Sequence, residues 1–260
     1  MIIVTNTENL VGVTISGDYY DLNQLVDALH EITVSDMDED LDKSSLSYLN
    51  ISIRVLGVCY DIRHAAQGDR EIFTEENMIS ESQMEAHEKI VPKQNVYYSC
   101  NVLYPEIVLV MMALNDLVKF RMSKLVKSRY DFDAPFDKAV IWDKTISVIR
   151  VFQSAFLDAI STVLTKSSLS RWQNLVNCRY TEVRGITNPF VDSWNIKYLK
   201  MNKELRAKKL VTITKRFTEY FNDPDDRGYR MAIGKFTEEH HCAESDIHFN
   251  GLDYPEQVDW

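Results

Sequence analysis

The densest group of polar side chains lies in the first third of the chain, where a predicted helix ends. Asp61 and His64 stand three residues apart, so on a helix they share a face and the carboxylate could orient the imidazole for acid–base chemistry. Arg63 and Gln67, four residues apart, occupy a neighbouring face, and Arg70 could bring a second guanidinium to an anion. We therefore predict a binding site for a phosphate or carboxylate group. Its candidate residues are Tyr60, Asp61, Arg63, His64, Gln67, Asp69 and Arg70.

A purely structural explanation of the same residues competes with this site and is the favoured one. A histidine near the C-terminus of a helix interacts well with the helix dipole, which suits His64. Arg63 and Arg70 would pair with nearby acids and fix the loop that follows. Under this interpretation the group ends a helix and binds no ligand.

A second polar group, near the end of the sequence, contains the residue types that bind metal ions. Adjacent residues on a helix point about 100° apart, so His240 and His241 rarely bind one ion together. His241 and Glu244 are the better-spaced pair, and His248 follows them. A solvated polar segment explains the group more simply, so we expect no metal site and no cofactor.

A basic stretch runs from Lys197 to Arg216, with eight lysines and arginines against Glu204 alone. Lysines along one side of a helix could track a phosphate backbone. The net charge of −10 opposes nucleic-acid binding, and a solvated helix face that balances the acidic segments of the chain is the favoured interpretation. The nucleic-acid candidates are Lys197, Lys200, Lys203 and Lys208.

The first half of the sequence is predicted to contain both helices and strands, which position these polar groups. Apolar residues at helical spacing follow Gly17, and Asp21 with Gln24 resembles a capping box. Residues 46–66 fit both a strand and a helix pattern, and Gly68 as a natural stop favours the helix. Four strands are predicted, at residues 2–5, 11–16, 70–74 and 95–103.

The second half of the sequence is predicted to be helical almost throughout. Helices are expected from Pro105 to Val126 and over residues 138–164, 169–176 and 189–221. Strands early and helices late predict an α+β fold, with a small antiparallel sheet packed against a predominantly helical C-terminal half. We expect a single domain, 1–260, with 1–104 and 105–260 as its two parts if it divides. The aromatic residues expected in the core are Phe132, Phe136, Trp142, Phe152 and Phe156.

Composition indicates a folded protein of the cytoplasm. The chain has 260 residues, of which 45% are hydrophobic and 26% charged, as in average globular domains. No apolar run approaches the roughly 18 residues of a membrane-spanning helix, and no secretory signal is evident. The four cysteines lie far apart, without the spacing of zinc or redox motifs, which favours a reducing compartment.

Common catalytic motifs are missing from the sequence. With eight glycines, the chain has no phosphate-binding loop and no dinucleotide fingerprint, and it lacks the nucleophile-elbow and two-histidine zinc patterns. Three runs resemble an uncharacterised bacterial domain family: Gly12–Tyr19, Val55–Ala65 with Gln67–Arg70, and Asn95–Ser99. The resemblance covers mainly the first half of the chain. It implies a bacterial or mobile-element setting and attaches no chemistry.

The leading hypothesis is a non-enzymatic cytoplasmic protein that binds a protein partner, or a second copy of itself, through its helical C-terminal half. One alternative is a protein or enzyme that binds a phosphate- or carboxylate-bearing small molecule at Asp61, Arg63, His64 and Arg70. The other is nucleic-acid binding through 197–216. No contact with a membrane is expected.

Overall fold

A computed structural model describes most of the chain. The described residues are 1–35, 43–86, 92–126, 133–177, 183, 187–222, 234–242 and 254–260. Among the predicted positions, Glu244 and His248 of the metal group and Phe132 of the aromatic group lie outside these ranges.

The strands form one four-stranded antiparallel sheet in the first half of the chain. They are β1 (Ile3–Asn6), β2 (Gly12–Gly17), β3 (Glu71–Glu76) and β4 (Gln94–Leu103), in the order β1-β2-β4-β3. The register places Val13 opposite Val102 and Ile15 opposite Cys100, all four buried. On the other face Thr14 donates a hydrogen bond to Asn101 at 2.7 Å. This alternation gives the sheet one apolar and one polar face.

Helices account for most of the remaining described residues. They are α1 (Tyr19–Ile32), α2 (Lys43–Leu46), α3 (Leu49–Ala66), α4 (Glu81–Ala86), α5 (Tyr104–Leu125), α6 (Lys138–Ile141), α7 (Lys144–Ser161), α8 (Lys166–Val176), α9 (Asn188–Leu199) and α10 (Lys203–Asn222). A 3₁₀ turn covers Ala134–Phe136, and residues 234–240 are also helical. None of the described helices is long and apolar enough to cross a membrane.

Helix α5 is the centre of the core. Nearly every residue from Tyr104 to Val118 is buried, because the helix packs against the sheet on one side and against α9 and α10 on another. A helix that is apolar all round needs such neighbours on every side. The α+β prediction, with the sheet early and helices late, is confirmed.

Two predicted helix boundaries are wrong. Helix α1 begins at Tyr19, and its N-cap is Asp18, three residues before the predicted cap Asp21. Asp18 accepts a hydrogen bond from the amide of Asp21, and Asp21 accepts one from the amide of Asp18. The predicted helix 138–164 breaks after Ile141, where Asp143 caps α7 and accepts hydrogen bonds from Nε and Nη2 of Arg121. In both cases an aspartate satisfies free backbone amides.

The predicted helix 189–221 also breaks, between Leu199 and Lys203. Arg206 is buried there and donates to the carbonyls of Tyr198 and Leu199 at the end of α9, as well as to Asn9 in the β1–β2 turn. A guanidinium can satisfy several helix-end carbonyls at once, which stabilises the break.

The aromatic prediction holds for only part of its set. Phe152 and Phe156 are buried, but Phe136 is 78% exposed and Trp142 is 84% exposed. The exposed rings lie in the 3₁₀ turn and directly after α6, whereas the two buried rings lie on α7.

Candidate functional site

The polar residues predicted as a binding site lie on the last turns of α3 and in the turn that leads to β3. Gly68 makes this turn in the left-handed region, with φ of 87°. His64 is 3.0 Å from Asp69, whereas Asp61 accepts a hydrogen bond from Arg70 at 2.9 Å. The predicted pairing of Asp61 with His64 is therefore wrong, because the turn brings a different partner to each.

The remaining candidates of this group contact one another at the surface. Tyr60 is half exposed, and its ring lies against His64 and under the guanidinium of Arg63, 5.3 Å from the ring centroid. The backbone of Gln67 closes the end of α3. The acid pair predicted by the helix-end interpretation forms at Arg70, whereas Arg63 lies over an aromatic ring and makes no ion pair within the described residues.

A cleft of about 360 Å³ nevertheless opens beside the Asp61–Arg70 pair. The pair supplies one carboxylate and one guanidinium, and β3 and β4 supply the other walls. The hydrogen bond to Asp61 raises the pKa of Arg70, so this guanidinium is charged and engaged. Burial raises the pKa of Cys100 to about 12, which keeps its thiol protonated. The lining residues are Asp61, Arg70, Glu71, Ser99, Cys100, Asn101 and Trp260.

The nucleic-acid candidates do not lie on one helix. Lys197 is on α9, 5.4 Å from the ring centroid of Trp194, and Lys200 is the residue that ends α9. Lys203 begins α10, and Lys208 lies further along α10 beside a groove. The break at 200–202 interrupts the predicted stripe.

The metal candidates form no ligand set among the residues that the structure describes. His241 is exposed and follows the helical stretch 234–240 with a positive φ. No group of three or more histidine, cysteine or acidic side chains within the described ranges is placed to hold an ion.

Sequence reasoning missed a buried polar network that joins three helices and the last described segment. Arg54 on α3 donates to Asp192 at 2.6 Å and lies 3.1 Å from Glu106 on α5. Asn195 on α9 donates to Glu106 and to the hydroxyl of Tyr254. The signal was present in the sequence, since Arg54 and Glu106 are single charges within apolar runs.

The network keeps two polar atoms without a hydrogen-bond partner among the described residues, Nε of Arg54 and Oδ1 of Asn195. Burial opposes the charge of Arg54, but Glu106 and Asp192 outweigh it and raise its pKa. Burial also raises the pKa of Tyr254, so its hydroxyl stays a donor to Asp192. The arrangement resembles a structural clamp that holds α3, α5 and α9 together.

Glu106 makes the stability of this network depend on pH. Burial raises its pKa above the ordinary 4.5, against the opposing effects of Arg54 and Asn195. A carboxyl with a raised folded-state pKa adds stability that is complete below about pH 4.5 and lost as the pH rises towards the folded-state value. We expect the wild type to lose free energy of unfolding relative to Glu106→Gln over that range. Urea unfolding at a series of pH values from 4.5 upward measures it, and a constant difference would contradict it.

A second feature that the sequence did not reveal is the strand arm, which we define as residues 71–86 and 92–98. It consists of β3, the first half of β4 and the described part of their connection, including α4. No described residue of the arm is buried. Ile72 is 52% exposed, Met78 87% and Val96 46%, although apolar side chains of a sheet usually pack on a core. The arm therefore extends past the helices that cover the rest of the sheet.

The fold and these sites place the protein in the α+β class. An antiparallel sheet is covered by helices on one face, and the molecule has a polar helix end and a projecting arm. The chain belongs to the family described as a domain of unknown function, DUF6904, whose model matches residues 2–260. The match extends the predicted resemblance, which rested mainly on the first half of the chain, over almost its full length. No curated protein and no solved structure matches the chain.

Proposed function

We propose that this protein acts in a bacterial cytoplasm by binding another protein, and that the strand arm makes the main contact. The observation that carries the proposal is the exposure of Ile72 and Val96 on a pair of strands that no described helix covers, and of Met78 shortly after β3. Exposed apolar side chains that form a continuous surface usually mark an interaction site. The helical C-terminal half, where the sequence placed the partner surface, contributes a second surface to this function.

The charge of the arm indicates what kind of protein it binds. Its described residues contain five glutamates against Lys93, which itself pairs with Glu81 at 3.2 Å. Glutamates on β3, an edge strand, disfavour the pairing of two β3 strands, because like charges would face each other. A basic partner surface would gain both the apolar contact and the charge contact.

The two alternative functions have weaker support. An anion in the cleft would have to displace Asp61 from Arg70, and it would face Glu71 as well. Nucleic acid would meet a basic stretch that is split between two helices and whose Arg206 is buried in contacts with backbone carbonyls. Anion binding and nucleic-acid binding therefore stay predictions. Protein binding is favoured because the strand arm is already exposed.

The experiment compares two exposed isoleucines in the full chain. Ile72 on the arm is 52% exposed, and Ile53 on α3, which serves as the matched control, is 45% exposed. Tagged wild type, Ile72→Ser and Ile53→Ser are purified from the native host, and retained proteins are quantified by mass spectrometry. We expect Ile72→Ser to retain about ten times less of a partner than the wild type does. A loss of this size is typical when one buried apolar side chain is removed from an interface. Equal retention by all three proteins would overturn the proposal.

A further inference from the structure

A groove of about 650 Å³ lies between α8 and α10. Val163, Leu164 and Val211 form its apolar part. Arg171, Lys208 and Lys215 bring positive charge to the same groove, which contains Glu204 as its lone acid among the described lining residues. A site of this size and mixture suits a ligand that is partly apolar and negatively charged.

Among the residues that the structure describes, two of the three cations have no ion-pair partner. Lys215 is 3.3 Å from Glu219, which it shares with Arg216. Arg171 and Lys208 make no salt bridge to any carboxylate in the described part of the chain, although both line the groove. Unpaired cations beside an apolar surface create a positive potential that favours an acidic partner.

The strand arm has the complementary chemistry. Glu75 and Glu76 are exposed at the end of β3, and Met78 and Ile79 follow directly as exposed apolar side chains. Acidic and apolar side chains thus lie close together within residues 75–79, just as basic and apolar groups share the groove. The described residues of a single chain leave both surfaces uncovered.

The arm and the groove lie towards opposite edges of the sheet. The arm is built on β3, at one edge of the sheet, whereas α7 packs on β1 at the opposite edge and contacts α8. Contacts between opposite sides of identical molecules are head-to-tail, and they produce rings or open chains, not two-fold dimers.

We infer that the α8–α10 groove receives the strand arm of a second copy of this chain, so that the protein assembles head-to-tail. The inference rests on the proposed function and names the partner. The carboxylates of Glu75 and Glu76 lie against Arg171 and Lys208 of the next copy, and the apolar side chains of the arm cover the apolar part of the groove.

The test is a charge exchange in the full chain. The variants are Glu75→Lys with Glu76→Lys on the arm, Arg171→Glu with Lys208→Glu in the groove, and all four changes together. Lys200→Glu with Lys203→Glu is the matched control, because it makes the same change in net charge outside the groove. Size-exclusion chromatography with light scattering measures the mass over a concentration series, and circular dichroism verifies the fold.

We expect the average mass of the wild type to rise with concentration beyond twice 30.2 kDa. Each two-residue reversal should weaken association about tenfold or more, the control should not, and the combined variant should restore it. If lysine disturbs β3, Glu75→Gln with Glu76→Gln removes the same charges. A mass of 30.2 kDa at every concentration overturns the inference. So does failure of the folded combined variant to associate.

These outcomes separate the inference from the proposed function. A monomeric chain whose retained partner in the native host is still lost on Ile72→Ser would refute self-assembly and leave protein binding by the arm in place. A monomeric chain whose retained proteins are also unchanged by Ile72→Ser would refute both self-assembly and protein binding by the arm.

Discussion

Replacing Arg54 with alanine is expected to lower the free energy of unfolding by about 3 to 5 kcal/mol. The guanidinium is the cation that pairs with Glu106 and Asp192, whose side chains are 16% and 14% exposed. Removing one partner of a buried ion pair leaves uncompensated charge in a poorly solvated site, which costs about this much. Urea unfolding at neutral pH, followed by circular dichroism, measures the change.

Two further variants separate this effect from the loss of an ordinary surface contact. Arg216→Ala removes a guanidinium that is 59% exposed and pairs with Glu219, so it should cost no more than about 1 kcal/mol. Arg54→Met with Glu106→Gln removes the cation and one of the two carboxylates, and it should recover part of the loss. An effect of Arg54→Ala as small as that of Arg216→Ala would show that the network is not a clamp.

Gly12→Ala is the second change with a large expected effect, a loss of about 3 kcal/mol or more. Gly12 pairs with Leu103 across β2 and β4, and a Cβ at this position would overlap the backbone carbonyl of Val102. A backbone atom cannot move aside as a flexible side chain can, so the two strands must separate locally. The carbonyl oxygen of Gly12 also accepts a hydrogen bond from the amide of Thr7, and this bond shapes the β1–β2 turn.

Gly57→Ala is the matched control for this prediction. Gly57 lies in the middle of α3, and a Cβ there would meet no atom within 4 Å. Alanine is the better helix former by about 1 kcal/mol, so this variant should gain stability. Thermal unfolding of both variants compares the two glycines, and equal losses would contradict the account of β2 and β4.

The sequence was sufficient for the architecture because hydrophobic periodicity is a local signal. The stripe after Gly17 and the run after Pro105 both form helices, and the alternation around Ile15 forms a strand. Helix breaks were harder to predict. Asp143 and Arg206 end or begin helices through contacts with Arg121 and with the β1–β2 turn, which are distant in sequence.

The sites depended even more on contacts between distant residues. The sequence suggested Asp61, His64, Asp69 and Arg70 as one group, but the turn at Gly68 decides which of them pair. The clamp joins Arg54 to Asp192, a contact that no local spacing reveals. The arm could not be predicted because Ile72 and Val96 have the pattern of ordinary strands, and only the packing shows that no described residue buries them.

One measurement tests most directly whether the arm binds a protein. A photo-reactive amino acid is placed at position 72 in the full chain, or at position 53 as the control, and the protein is irradiated in its native host. We expect a defined protein adduct from position 72, with a second copy of the chain or another protein, and we expect that adduct to be absent from position 53. Absence of any adduct at position 72, or the same adducts at both positions, would contradict the account.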